Sequence, residues 1–164
     1  MLNSARLINR ILQKSYILNT TAIIVEDYQM MADAWEMVLK TKGFSSIRKF
    51  VDSNGLLESI ESDKPDVILM DVNLNNDENG IEITKELTQV YPDIKVIILT
   101  IHDHRNTVLE AFKAGAVGYV TKGSALQQIE KALDAISDGQ LYVCQEIMDR
   151  GFDINRLKSK RLSK

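Results

Sequence analysis

Between residues 21 and 137, short aliphatic runs alternate with longer amphipathic stretches. The apolar runs fall at 22–25 (AIIV), 47–51 (IRKFV), 67–70 (VILM), 96–99 (VIIL) and 118–120 (GYV). Near-continuous β-branched runs without strict alternation predict strands buried on both faces, as in a parallel sheet. Helical spacing fills the intervals. Met31, Ala34, Trp35 and Val38 recur at i, i+3, i+4 and i+7. Ile83, Leu87 and Val90 make a second stripe, Val108, Leu109 and Phe112 a third, and Leu126, Ile129, Leu133 and Ile136 a fourth. Gly43, Gly115 and Gly139 stand just past helical runs and predict helix stops. Pro65 and Pro92 lie just before strands, where a missing N–H does no harm. The pattern predicts a (βα)5 alternation, hence an open, doubly wound parallel sheet with right-handed crossovers and helices on both sides.

Two segments fall outside that alternation. Residues 1–20 carry Leu7, Ile8, Ile11, Leu12 and Tyr16 at helical spacing. With only three bases, this stretch is expected to pack on the domain or on a second copy rather than on a membrane. Residues 139–164 are expected to hold a short helix at 144–149 and then a basic, Ser-containing linker. The expected organisation is therefore an N-terminal extension at 1–20, one α/β domain at 21–138, and the C-terminal segment.

Composition narrows the function. At 164 residues and 45% hydrophobic content the chain suits one packed domain. It has no apolar run of roughly 20 residues to span a membrane and no secretory signal pattern at its start. One cysteine, Cys144, excludes an internal disulfide and a thiolate zinc cluster, and a cytosolic setting is the natural reading. Net charge is −3, but residues 1–20 carry +3 and residues 150–164 carry +5, which leaves −11 on the body. An acidic body argues against binding nucleic acid itself, and its clusters suit a divalent cation.

In open α/β sheets, ligands bind beyond the carboxyl ends of the strands. Four predicted strand ends carry polar chemistry: Glu26-Asp27, Asp71, Thr100 and Thr121-Lys122. Three converging carboxylates repel one another unless a cation joins them, and hard oxygen donors favour Mg²⁺. A lysine ammonium and a threonine hydroxyl could hold the remaining oxygens of a phosphoryl group. Asp71 could then act as the nucleophile, since aspartate can form an acyl phosphate. Singly, each residue has a plainer explanation: Asp27 as a helix cap, Glu26 as a solvated strand end, Asp71 as a turn residue, Lys122-Gly123 as an exposed turn. Together at successive strand ends, the plain readings lose. A dinucleotide-binding turn would need glycines where Glu26-Asp27-Tyr28-Gln29 stands. A haloacid-dehalogenase-type phosphatase would need a second aspartate where Asn73 stands. His102 and His104 lack a third ligand and are read as surface residues of a helix start. Met30, Met31 and Trp35 are read as helix packing, and Cys144 as a small hydrophobe.

These residues resemble a response-regulator receiver domain over about 21–138. The stretch LTIHDHRNTVLEAFKAGAVGYVTKGSALQQIEKAL is similar to the NarL/FixJ subfamily, whose members usually carry a C-terminal LuxR-type helix-turn-helix. The resemblance implies a flavodoxin-like fold with strand order 2-1-3-4-5. It implies Asp71 as phosphoacceptor, with Mg²⁺ held by Asp27 directly, by Glu26 through water, by Asp71 and by the Asn73 backbone carbonyl. Lys122 would contact the phosphoryl group, Thr100 would swing towards it, and Tyr119 would change rotamer with Thr100. Asn73 and His102 would flank the site. It further implies a sensor histidine kinase as phosphodonor, homodimerisation, no activity beyond self-phosphorylation and dephosphorylation, and DNA contact only through a domain beyond Lys164. The alternative is a degenerate receiver acting as a phosphorylation-independent interaction domain. Three departures stand out. Asn75 replaces a common proline, and Gly80 comes one residue late, so 75–79 (NNDEN) reads as an insertion in a flexible loop. Gly123 stands where many receivers have proline after the lysine.

Overall fold

In the computed structural model, residues 20–155 and 157 are described. The expected N-terminal helix and most of the basic tail lie outside them. Elements run β1 (Thr21–Val25), α1 (Gln29–Thr41), β2 (Ser46–Phe50), α2 (Leu56–Ser62), β3 (Val67–Asp71), α3 (Gly80–Val90), β4 (Lys95–Thr100), α4 (Arg105–Lys113), β5 (Gly118–Thr121), α5 (Ala125–Ser137), β6 (Tyr142–Val143) and α6 (Gln145–Asp149). Every sheet pairing is parallel, in the order β2-β1-β3-β4-β5-β6. The implied 2-1-3-4-5 order holds, and β6 adds a sixth strand that hydropathy did not foresee. Two residues are too few to show a period, and backbone pairing to β5 sets this strand.

β1, β3, β4 and β5 are buried almost throughout, as their uninterrupted aliphatic runs require. Each such side chain contributes about 1.5–3 kcal/mol relative to exposure. β2 differs because it forms a sheet edge: Ser46 and Lys49 face water, and the predicted run's last residue, Val51, is exposed. α1 packs against α5 and α3 against α4, with Trp35, Leu39, Ile129 and Phe112 on the buried stripes. Val90 and Leu126, placed on the stripes by spacing, are exposed at helix ends, where the helix axis carries them past the sheet. The predicted helix stops hold; Gly115 has φ +103°, and a Cβ there would also meet Thr88 Oγ1 at 2.4 Å.

Register brings the chemistry together. Val25 pairs with Met70, Asp71 with Leu99, and Thr100 with Thr121, so the four strands end in one row. The late Gly80 does not disturb that row. Residues 75–77 are exposed while Leu74 stays buried, and the loop closes on itself through an Asn73–Asn79 bridge and a Leu74 N–H to Glu78 carbonyl bond of 3.1 Å. Asn76 and Asp77 take φ of 62° and 57°, a conformation that Asn and Asp tolerate better than other side chains. This explains the Asn/Asp-rich insertion. The loop is also anchored. The Glu78 carboxylate accepts from the Ser53 N–H (2.8 Å) and hydroxyl (2.7 Å), and Asn76 donates to Asp52 at 3.1 Å. The expected flexible loop is thus a pinned one.

Beyond the bulge, Asn79 caps α3 by accepting from the Ile81 N–H at 2.8 Å, and Gly80 donates to the Val72 carbonyl at 2.8 Å. A Cβ on Gly80 would lie 1.8 Å from the Asp71 carbonyl oxygen. Gly80→Ala is therefore expected to lower stability by about 1–3 kcal/mol, the cost of overpacking a rigid contact. Gly123→Ala, with nothing within 4 Å of the added Cβ, should stay within about 0.5 kcal/mol of wild type in urea unfolding.

Candidate phosphoacceptor and metal site

Glu26 and Asp27 follow β1, β3 ends in Asp71, and the turn after β5 begins with Lys122. Their side chains converge. The Lys122 ammonium lies 2.6 Å from Asp71 Oδ2, and 2.9 and 2.7 Å from the two Glu26 oxygens. Glu26 is 2% exposed and Asp71 5%, whereas Asp27 is exposed. Carboxylate oxygens of Glu26, Asp27 and Asp71 all lie within 4.8 Å of one another. The site is therefore a buried acidic floor under one lysine, with an exposed carboxylate at its rim.

Further bonds fix the floor. Glu26 accepts from the Tyr28 N–H at 3.3 Å and from the Trp35 indole N–H at 3.4 Å. Trp35, read from spacing as packing alone, also orients a site carboxylate; a buried indole N–H seeks a partner, which was the available signal. Asp27 does not cap α1, whose N-cap residue is Tyr28 with no side-chain cap bond, so the plain reading of Asp27 loses its support. Asp71 Oδ1 accepts from the Asn73 N–H at 3.4 Å.

Thr100 is fully buried and turned to its own chain, its hydroxyl oxygen accepting from the His102 N–H at 3.1 Å. Tyr119 is buried as well, with its hydroxyl donating to the His102 carbonyl at 2.9 Å. His102 is half-buried beside the site, Nε2 lying 3.0 Å from the Asn73 side-chain nitrogen, while exposed His104 precedes α4 as its N-cap residue. His102 is therefore not a plain helix-start residue. The structure brings Glu26, Asp27, Asp71 and Lys122 into one cluster, and links Thr100 and Tyr119 through the loop after β4. The Lys122–Gly123 peptide is trans.

Electrostatics follow from burial. Desolvation pushes the Asp71 carboxyl above its usual range, against the pull of Lys122. Desolvation does the same to Glu26, aided by the Asp71 charge and opposed by Lys122. Burial opposes the charge on Lys122, but Asp71 and Glu26 outweigh it and hold the ammonium above its ordinary value. The cluster suits a hard divalent cation. It offers carboxylate oxygens only, from three residues, one of them open to solvent.

Residues 22–134 match the response regulator receiver domain family, and the chain belongs to that family. Over 122 residues it is 34% identical to the transcriptional regulatory protein DegU of Brevibacillus brevis, covering 74% of this chain and 51% of that protein. A two-component response regulator of the LuxR family from Aurantimonas sp. SI85-9A1 superposes with a TM-score of 0.73 at 24% identity, covering 88% of this chain and 99% of that one. The isolated REC domain of RcsB from Salmonella enterica serovar Typhimurium, solved in the presence of the phosphomimetic BeF3-, gives 0.73 at 20% identity and covers 80% and 97%. At these identities the structural likeness concerns the fold. The chain spans about half the length of the curated relatives it matches.

The raised carboxyls carry a pH signature. A carboxyl that titrates higher when folded binds more protons in the folded state, so stability falls as pH rises from the unfolded value to the folded one. Asp71→Asn removes that loss at one position and leaves Lys122 its Glu26 partner. Without divalent cations, the variant should melt above wild type at pH 7. The gap should close as pH falls below about 4, the unfolded carboxyl value. Scanning calorimetry over pH reads this difference, and coincident melts at every pH would mean the lysine compensates Asp71 in full.

Proposed function

We propose that the domain takes a phosphoryl group on Asp71 from the phosphohistidine of a sensor histidine kinase, with Mg²⁺, and that this shifts a resting–active equilibrium. The observation that supports it most is the Lys122 ammonium 2.6 Å from Asp71 inside the cluster with Glu26 and Asp27. In the transfer, an Asp71 carboxylate oxygen forms a bond to phosphorus as the donor's P–N bond breaks, and the leaving imidazole keeps the electron pair and is reprotonated. Lys122 pairs with a phosphoryl oxygen, and Thr100 offers its hydroxyl to another. Glu26, Asp27, Asp71 and the Asn73 carbonyl are the groups that would hold the cation, which supplies neutralisation of charge that the lysine alone does not provide.

The product adds about −1.5 to −2 charges to an acidic pocket, so cation and lysine must favour it over the resting state for the equilibrium to move. On this reading the domain's chemistry is its own phosphorylation and dephosphorylation. The transcriptional role, the NarL/FixJ-type subfamily, homodimerisation, a helix-turn-helix beyond the short helix and basic linker of 139–164 and a cytoplasmic location belong to the same proposal. The transcriptional role draws on a relative named a transcriptional regulatory protein, and the rest on the family resemblance rather than on this site. Among the described residues no helix is long and apolar enough to cross a membrane.

Acetyl phosphate with Mg²⁺ should add one phosphoryl mass to wild type and none to Asp71→Asn. Lys122→Ala should label on the order of tenfold more slowly, since a charge-assisted hydrogen bond contributes about 1.5–3 kcal/mol. Intact-protein mass spectrometry reads all three. Equal labelling of wild type and Asp71→Asn removes Asp71 from its role, and a wild type that takes neither label nor beryllofluoride would be a degenerate receiver serving as an interaction domain.

A further inference from the structure

The segment after α5 turns back onto the elements that flank the site. β6 pairs with β5, the Tyr142 N–H reaching the Val117 carbonyl at 3.0 Å and the Cys144 N–H the Tyr119 carbonyl at 2.9 Å. α6 then holds two separate places. Glu146 accepts from the Thr121 hydroxyl at 2.7 Å, one residue before Lys122. Arg150 pairs with Asp103, one residue after His102, and approaches Glu146 at 3.5 Å. Ile147 and Phe152 are buried, and the Arg105 guanidinium lies 5.7 Å from the centre of the Phe152 ring.

The loop that Arg150 grips is the one that reads Thr100. The His102 N–H depends on the Thr100 hydroxyl oxygen, and the His102 carbonyl receives the Tyr119 hydroxyl. If Thr100 turns towards a phosphoryl oxygen, the His102 N–H loses its acceptor. The bond is part-buried, so the N–H gains by a shift of the loop towards another acceptor. Asp103 and the Tyr119 acceptor travel with it, and both bear on the docked segment.

We propose that residues 141–155 form a latch that is closed in the resting state and loosened when Asp71 is phosphorylated, through the chain Thr100–His102–Asp103–Arg150. The proposal rests on the phosphoacceptor reading given above. Coupling is reciprocal: if phosphorylation loosens the latch, loosening the latch must favour the phosphorylated state by the same factor. A static cover of the β5 edge would show neither effect.

The test uses the full chain with Mg²⁺ and beryllofluoride, read by binding affinity and by hydrogen exchange. Beryllofluoride should speed exchange of the Tyr142 and Cys144 amides by about tenfold, as local opening requires, without a matching rise in β1 and β3. Arg150→Ala should bind beryllofluoride about two- to fivefold more tightly than wild type, the range of a modest allosteric coupling. The exchanged pair Asp103→Arg with Arg150→Asp should return affinity towards wild type. Beryllofluoride binding with unchanged exchange at 142 and 144, and wild-type affinity in Arg150→Ala, overturns the latch and leaves the receiver reading intact. No binding of beryllofluoride overturns both.

Discussion

Lys122 is held between Asp71 and Glu26 in a corner nearly closed to water, and that contact governs the rest of the site. Burying charges costs several kcal/mol per ion, and only short, well-made contacts offset it. Here one ammonium faces two buried carboxylates, with a third at the rim, so the corner keeps a net negative charge. The carboxylates cannot relax away. Glu26 is fixed by the Trp35 indole and the Tyr28 N–H, and the Asp71 backbone lies against Gly80, where no side chain fits. The fold thus retains an electrostatic cost at one place, as functional sites commonly do.

Much of this was legible because strand runs and strand ends are local in sequence. The aliphatic runs mark β1, β3, β4 and β5 directly, and the candidate site residues stand one or two places after each run. The strand order was implied by the family resemblance, since periodicity says nothing about which strand lies beside which. Three features were hidden for physical reasons. β6 is set by backbone pairing and has almost no side-chain pattern. Trp35 looks like any buried aromatic until its N–H partner is known. Arg150 and Asp103 stand 47 positions apart in the chain, and nothing local joins them.

The family resemblance implies one extra residue before Gly80, and the loop there shows how such a length change is absorbed without moving a site. A one-residue slip inside β3 would turn every side chain to the other face. The chain instead keeps Leu74 in the core and turns 75–77 out as a closed loop, with Asn76 and Asp77 in left-handed backbone. Gly80 then arrives against Asp71 at the spacing that contact requires. The Glu78–Ser53 bonds tie the bulge to the loop after β2, so the mouth of the site is bordered by two joined loops.

The contrast between the site's floor and its C-terminal cover bears on switching. The Lys122 contacts are buried, whereas the Arg150–Asp103 pair is half-open to solvent, with side chains 55% and 30% exposed. Pairs of that kind contribute about 0–1 kcal/mol, and an equilibrium held by such contacts can be shifted by a modest difference in binding between two states. The same segment also buries Val143, Cys144, Ile147 and Phe152, so the part a modest difference can shift is the Arg150–Asp103 grip, with the apolar contact beneath it retained. On the proposed reading, the strong interactions belong where a phosphoryl group and a cation must be bound, and the weak ones where the result must be transmitted. That division is visible along β5: Tyr119 is packed in the core, and two residues on Thr121 reaches α6 through the Glu146 carboxylate.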